Sequence, residues 1–284
     1  MRAIEALLDG LIDYAGLYPP AGLDMQSAVR NYLSGQQGRY GYALGRFVVD
    51  LNRIEEFRSV AGASASEVRL SLIVPPAPEW TGLAMLVDAG LRIEAVEFRA
   101  GRVEEAAMCR KYIPSNITTY LEVPVGDGAA ELVDAIAGSG NRIKLRMGGL
   151  VAAAFPEVCT VARVLGEASR RRLSFKATAG LHHPIRSRHP FTYEQGSSSG
   201  MMHGFVNLFC AAALVYFEGD ATDAESVLHE EKAAAWEVEA DAIAWGSMRW
   251  SAAQIRKVRQ DLMICIGSCS FEEPMRDLEA LGWL

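Results

Sequence analysis

Arg142-Ile143-Lys144-Leu145-Arg146-Met147-Gly148-Gly149 and, further on, Leu173-Ser174-Phe175-Lys176-Ala177-Thr178-Ala179-Gly180 are the two stretches on which the reading of this chain turns. In the first, Ile143, Leu145 and Met147 share one face while Lys144 and Arg146 share the other. In the second, Phe175, Ala177 and Ala179 face one way, and Ser174, Lys176 and Thr178 the other. A period of two is the mark of a β-strand. In a barrel, helices cover the outside of every strand, so the apolar set points outward and the polar set points in.

Working outward, β-like runs alternate with amphipathic segments along most of the chain. The candidate strands are Leu11–Ala15, Arg46–Asp50, Arg69–Val74, Ile93–Arg99, Thr118–Val123, Arg142–Met147, Leu173–Ala179 and Leu262–Ser268. The first of them can equally end a helix begun at Ala3. Candidate helices lie at Met25–Tyr32, Leu51–Val60, Trp80–Ala89, Val103–Tyr112, Ala129–Ala137 and Pro156–Arg171. Such alternation implies a parallel sheet with helical crossovers, and eight repeats favour closure. The expected fold is therefore α/β, a single-domain (β/α)8 barrel of the TIM type over residues 1–284. An elaboration at about 184–250 separates the seventh and eighth strands, which is long for a connection inside a compact barrel. It holds a Gly/Ser-rich loop (Gly196–Gly200), an apolar helix near Met202–Tyr216 and an Ala/Glu-rich helix near Ala224–Ala244. The segment from His189 to Gly200 is expected to be mobile, and the apolar helix is a candidate homo-oligomer contact. Ser270 and Glu273 form a capping-box pattern at the start of the last helix.

Half of the 284 residues are hydrophobic and 22% are charged, which is an ordinary globular balance. A net charge of −7 argues against a nucleic-acid partner. The most apolar run, Gly204–Phe217, is too short for a membrane span, so no membrane association is expected. Five scattered cysteines without CxxC pairing, together with a charged start that lacks a secretory pattern, point to a cytoplasmic protein.

The same parity gathers the chemistry. Glu97 points inward with Arg99, Glu122 with Tyr120, and Asp50 sits at the tip of the second strand. Lys144, Lys176, Glu97 and Glu122 are thus the candidate catalytic residues, converging on one barrel mouth. Two close lysines in a dry site disfavour a second ammonium, so one is expected to have a lowered pKa. A neutral amine can attack a carbonyl and form a Schiff base, with Glu97 or Glu122 shuttling protons. Candidate substrate-binding residues are Arg146, Thr178, His182, His183, Asp13, Asp50, His203, Ser268 and Ser270. The serines stand beside a helix N-terminus where a phosphate can dock. Cys269, at the same terminus, is read as passive more readily than as a nucleophile.

Lys144 and the Lys176-Ala177-Thr178-Ala179-Gly180 run resemble the paired-lysine layout of deoxyribose-phosphate-type class I aldolases. In that family the reactive lysine lies on the sixth strand in a Lys-Thr-Ser-Thr-Gly-like run, whereas here the comparable run falls on the seventh. Over most of its length the chain is similar to an uncharacterised bacterial family. The shared marks are Lys144-Leu145-Arg146 with Gly148-Gly149, Phe175 to His183, Met202-His203-Gly204-Phe205, and Gly267 to Pro274. The resemblance to the aldolases implies a lyase acting on a small, anionic, phosphorylated or unphosphorylated carbonyl compound without a cofactor. Two other readings stay open. One is a metal-dependent hydrolase or isomerase using His182, His183 or His203 with a carboxylate, although no HxH or HExxH spacing occurs. The other is a non-catalytic barrel for binding or assembly, its inner charges serving as salt bridges.

Overall fold

The computed structural model describes residues 1–74, 86, 90–99, 113–126, 128–219 and 221–284. The helices expected at Trp80–Ala89 and Val103–Tyr112 lie outside these residues apart from Leu86, as does Cys109.

Eight parallel strands close into a barrel. They are β1 (Ile12–Tyr14), β2 (Leu44–Asp50), β3 (Leu70–Ile73), β4 (Ile93–Arg99), β5 (Thr118–Val123), β6 (Arg142–Arg146), β7 (Phe175–Thr178) and, after a long insertion, the closing strand Met263–Ser268. That last strand pairs with β7 on one side and with β1 on the other, through Ile12 opposite Ile266 and Tyr14 opposite Ser268. Each expected strand is present, the boundaries moving by a residue or two. The doubtful first one is a strand preceded by its own short helix, α1 (Ala3–Leu8).

Alternation explains the layers. Phe47, Val49, Leu70, Leu72, Leu121, Val123, Ile143, Leu145, Phe175 and Ala177 are fully buried in one continuous apolar core. Helices α2 (Met25–Gln37), α3 (Ile54–Ala61), α4 (Ala129–Ile136) and α5 (Val158–Arg170) bury their apolar stripes in the same core. Inside the barrel, Ala95, Tyr120 and Cys265 form a separate small apolar floor. The charged residues sit above it.

The insertion differs from its sequence reading. Ser187–Pro190 (β8) and Ser199–Met202 (β9) pair as an antiparallel hairpin where only a loop was expected. Phe205–Phe217 (α6) is helical as expected, but Phe205 to Val215 are buried against this chain's own elements, so those residues do not form an exposed contact face. The Ala/Glu-rich stretch is α-helical only over Ala221–His229 (α7), with a single 3-10 turn at Ala233–Ala235. It then becomes a three-stranded antiparallel sheet, β10 (Trp236–Val238), β11 (Ala242–Trp245) and β12 (Met248–Ser251). Helix α8 (Ala252–Asp261) follows, with Ser251 and Gln254 forming its capping box. The closing strand, Met263–Ser268, is β13, and α9 (Glu272–Ala280) ends the described fold. At α9 the Ser270 hydroxyl accepts from Glu273 N at 3.1 Å. The reciprocal half of the expected capping box is replaced, because the Glu273 carboxylate accepts from Tyr193 at 2.9 Å.

Among the described residues, no helix is long and apolar enough to cross a membrane.

Candidate active site

A cavity of about 480 Å³ opens at the C-terminal ends of the barrel strands. Glu97, Lys144, Arg146, Lys176, Thr178 and His182 contribute its polar wall. Its apolar wall comes from Val48, Ile73, Leu150, Ala154, Phe191 and Met202.

Strand register sets the charged residues side by side. Glu122 lies opposite Lys144, Lys144 opposite Lys176, and Arg146 opposite Thr178. Their side chains form a ladder of alternating sign that rises from the barrel floor to the mouth. At the bottom, Asp13 is fully buried and accepts from Arg46 N at 2.8 Å, with the Arg46 guanidinium 3.7 Å away. Lys176 Nζ donates to Asp13 Oδ2 at 2.7 Å and to Glu97 Oε1 at 2.6 Å. Glu97 Oε1 also accepts from Ser71 Oγ at 2.6 Å, and its other oxygen meets Lys144 Nζ at 3.0 Å. Lys144 continues to Glu122 at 2.9 Å, and Glu122 to Arg146 at 3.3 Å. The Lys176 side chain is 1% exposed and that of Arg146 is 46% exposed, so the ladder runs from dry to wet.

This geometry corrects the electrostatic expectation for Lys176. Burial pulls its ammonium down, but Asp13 and Glu97 more than reverse that pull and hold it well above the usual lysine range. The pairing carboxylates outweigh the neighbouring lysine. Burial likewise raises Asp13, Glu97 and Glu122, and in each the adjacent cations win: Lys176 and Arg46 for Asp13, Lys176 and Lys144 for Glu97, Lys144 and Arg146 for Glu122. All three end below the usual carboxylate range.

The other candidates scatter. Asp13 lies beneath Lys176 rather than on the cavity wall. Asp50 accepts from Tyr18 at 2.9 Å, and it is Tyr18 that lines the cavity. His182 lines the cavity, with Nδ1 3.1 Å from Ser268. Its neighbour His183 turns the other way, to Asp277 at 2.6 Å, and stacks on His189 with ring centres 3.3 Å apart. His203 Nε2 donates to the carbonyl of Pro156 at 2.9 Å. Adjacent histidines on extended backbone diverge, as strand geometry requires. Among the described residues, no three His, Cys, Asp or Glu are grouped to hold a metal ion. Ser268 is buried and donates to Ser270 O at 2.7 Å, while Ser270 lines a different cleft beside α9. Cys269 is buried, and burial raises its thiol, in keeping with a passive role.

Sequence reasoning missed Arg46, Ser71, Tyr193, Phe155 and Phe191. Arg46 and Ser71 were within reach of strand parity, since Phe47 and Val49, and Leu70 and Leu72, mark the outward faces. Phe155 and Phe191 had no such signal. Their rings stack with centres 5.3 Å apart. A Cβ on Gly180 would come within 3.2 Å of the Gly148 Cα and collide with the Phe155 ring. Gly180 also has φ +68°, so both its conformation and its closeness demand glycine.

Fold and site together define an (β/α)8 barrel with a buried lysine–carboxylate ladder beneath an open cavity. No family model matches the chain, and no curated protein matches it. Among solved structures, a mutant of FabK from Thermotoga maritima is similar over 65% of this chain and 59% of that chain, at 14% identity and a TM-score of 0.38.

Proposed function

We propose that the chain is a carbon–carbon lyase, or a related Schiff-base enzyme, acting on a small anionic carbonyl compound, with residues 1–284 working as one unit. Lys144 is the amine. The observation that carries this reading is the difference between the two lysines. Both line the cavity between two carboxylates, but Lys176 is 1% exposed between the buried Asp13 and Glu97. Lys144 shares Glu97 and has on its upper side a partly exposed proton acceptor, Glu122, 2.9 Å away.

In this reading Lys144 passes a proton to Glu122, and the freed nitrogen pair attacks the carbonyl carbon. The carbonyl oxygen takes up two protons and leaves as water, which gives an iminium. The iminium accepts the electron pair of the adjacent carbon–carbon bond as a β-hydroxyl loses its proton and an aldehyde departs. Protonation of the enamine and addition of water then return the second product and Lys144. Lys176 stays charged throughout and stabilises Glu97 beneath the reacting amine. At the mouth Lys144 and Arg146 share the single carboxylate of Glu122, which leaves Arg146 half exposed as the clamp for an anionic group. The opposite, apolar wall suits a short hydrocarbon portion of the same substrate.

Borohydride reduction in the presence of pyruvate, hydroxyacetone and short aldehydes tests the reading by peptide mass. A reduced adduct on Lys144, absent from Lys144→Met and Lys144→Arg, is expected, because arginine is a permanent cation and forms no imine. An adduct on Lys176 alone, or none with any carbonyl, would reject it.

A further inference from the structure

The lyase reading needs a base toward the ligand, and the ladder carboxylates are poorly placed to be one. Glu97 already accepts from Ser71, Lys176 and Lys144, and Glu122 is held between Lys144 and Arg146. His182 lines the same cavity, and the hydrogens around its Nδ1 can be counted. Nδ1 lies 3.1 Å from Ser268 Oγ. That hydroxyl spends its one proton on the Ser270 carbonyl at 2.7 Å, because a carbonyl can only accept. Toward His182, Ser268 is therefore the acceptor. The Glu273 carboxylate, 3.7 Å from the same nitrogen, favours a hydrogen there as well. The Cys269 thiol stands 3.9 Å from Nδ1 but 3.7 Å from Tyr193 Oη, whose own proton goes to Glu273. The thiol thus has a nearer oxygen to donate to. Nδ1 carries the ring hydrogen, and Nε2 is left with a free electron pair.

We infer that His182 is the proton-transfer residue of this cavity, acting through Nε2 on the bound ligand, with Ser268 and Glu273 as the positioning residues that fix its tautomer. The inference rests on the reading of the cavity as a carbonyl site. In the step, a C–H or O–H bond of the ligand breaks. For a C–H bond α to the carbonyl or iminium, the pair becomes a carbon–carbon double bond as the C=O or C=N π pair moves onto oxygen or nitrogen. For a β-hydroxyl, the pair becomes the C=O of the departing aldehyde as the carbon–carbon bond breaks. The pair of that broken bond moves into the bond to the iminium carbon, whose π pair goes to nitrogen. In either case the proton joins Nε2 to give an imidazolium that later returns it. Burial, with a smaller push from His183, lowers this imidazole to about 4, so the ring rests neutral and ready to accept at neutral pH.

Two measurements on the full chain test it. In ¹⁵N-histidine protein at neutral pH, with His182→Gln to assign the signal, the nitrogen shifts should report Nδ1–H and a bare Nε2. Ser268→Ala should disturb that tautomer without unfolding the chain. In D2O, the protein should exchange the α-protons of pyruvate or hydroxyacetone, and His182→Gln should slow this by about a hundredfold or more while borohydride still traps Lys144. An Nε2–H tautomer or a resting imidazolium would overturn the inference. So would wild-type protein that exchanges neither probe, or a His182→Gln variant that exchanges at the wild-type rate. Exchange that depends on His182 without any trapped adduct would support the base and sink only the imine.

Discussion

Lys176 and Lys144 are opposite one another on adjacent strands, yet their substitution by methionine should have different consequences. Lys176→Met leaves Asp13 and Glu97 buried with their central cation gone, a loss of about 3–5 kcal/mol for a broken buried pair. Each variant leaves every carboxylate one cation: Arg46 for Asp13 and Lys144 for Glu97 in the first, Lys176 for Glu97 and Arg146 for Glu122 in the second. Lys144→Met, however, breaks the ladder nearer the mouth, where Glu122 is 11% exposed beside the half-exposed Arg146, so its cost should be clearly smaller. Urea unfolding followed by circular dichroism reads the difference, and equal midpoints for the two variants would contradict the ladder. The paired lysines were legible in the sequence because period-two parity assigns a face to every strand residue. Depth was not legible. Nothing in Asp13-Tyr14-Ala15 says that Asp13 stands a layer below the cavity, since that depends on how far β1 is staggered against its neighbours.

The hairpin of β8 and β9 belongs to the scale of elements. Its strands are four residues each, mostly exposed or half-exposed, and Gly196 to Gly200 obscures any alternation, so composition suggested only a loop. What fixes it is tertiary: Phe191 is buried on Phe155, and Tyr193 reaches Glu273. Such a strap over a cavity is expected to open more readily than the barrel strands. Amide exchange should be faster across residues 189–200 than across β6 and β7, and a bound carbonyl acid should slow it. Phe191→Ala should quicken exchange there while changing global stability by less than the cost typical of a core aromatic, about 3–5 kcal/mol. Uniform exchange through the hairpin and the barrel would refute the strap. The Trp236–Ser251 sheet was misread for the opposite reason. Its alanines favour a helix locally, but Trp236, Ile243 and Trp250 are buried from successive strands, and that packing overrides propensity.

For the whole molecule, the buried titratable groups set a direction with pH. Burial lowers His182 and His203 from the usual 6.5 to about 4. Between those values the unfolded chain binds protons that the folded chain refuses, so stability falls as pH falls through this window, by up to about 3 kcal/mol for each histidine. Below it the sign is unchanged, because Asp13 and Glu97 stay ionised in the fold at a pH where the unfolded chain protonates them. Lys176, held high, keeps its contribution until well above neutral pH. Melting temperature should therefore climb from pH 4 to 7 and then level off, and a maximum near pH 4 would refute this account. Barrel closure also has a consequence in time. The carboxylate of Asp13 accepts from Cys265, 252 residues later in the chain, and β1 has β13 as one of its two barrel partners. At a synthesis rate of about 5–20 residues per second, roughly ten to fifty seconds separate the making of the two. Throughout that interval on the ribosome the first strand keeps an open edge and Asp13 remains hydrated. The site can form only once β13 has been made and has reached β1, so whatever shields that open edge in the meantime also protects the unfinished site.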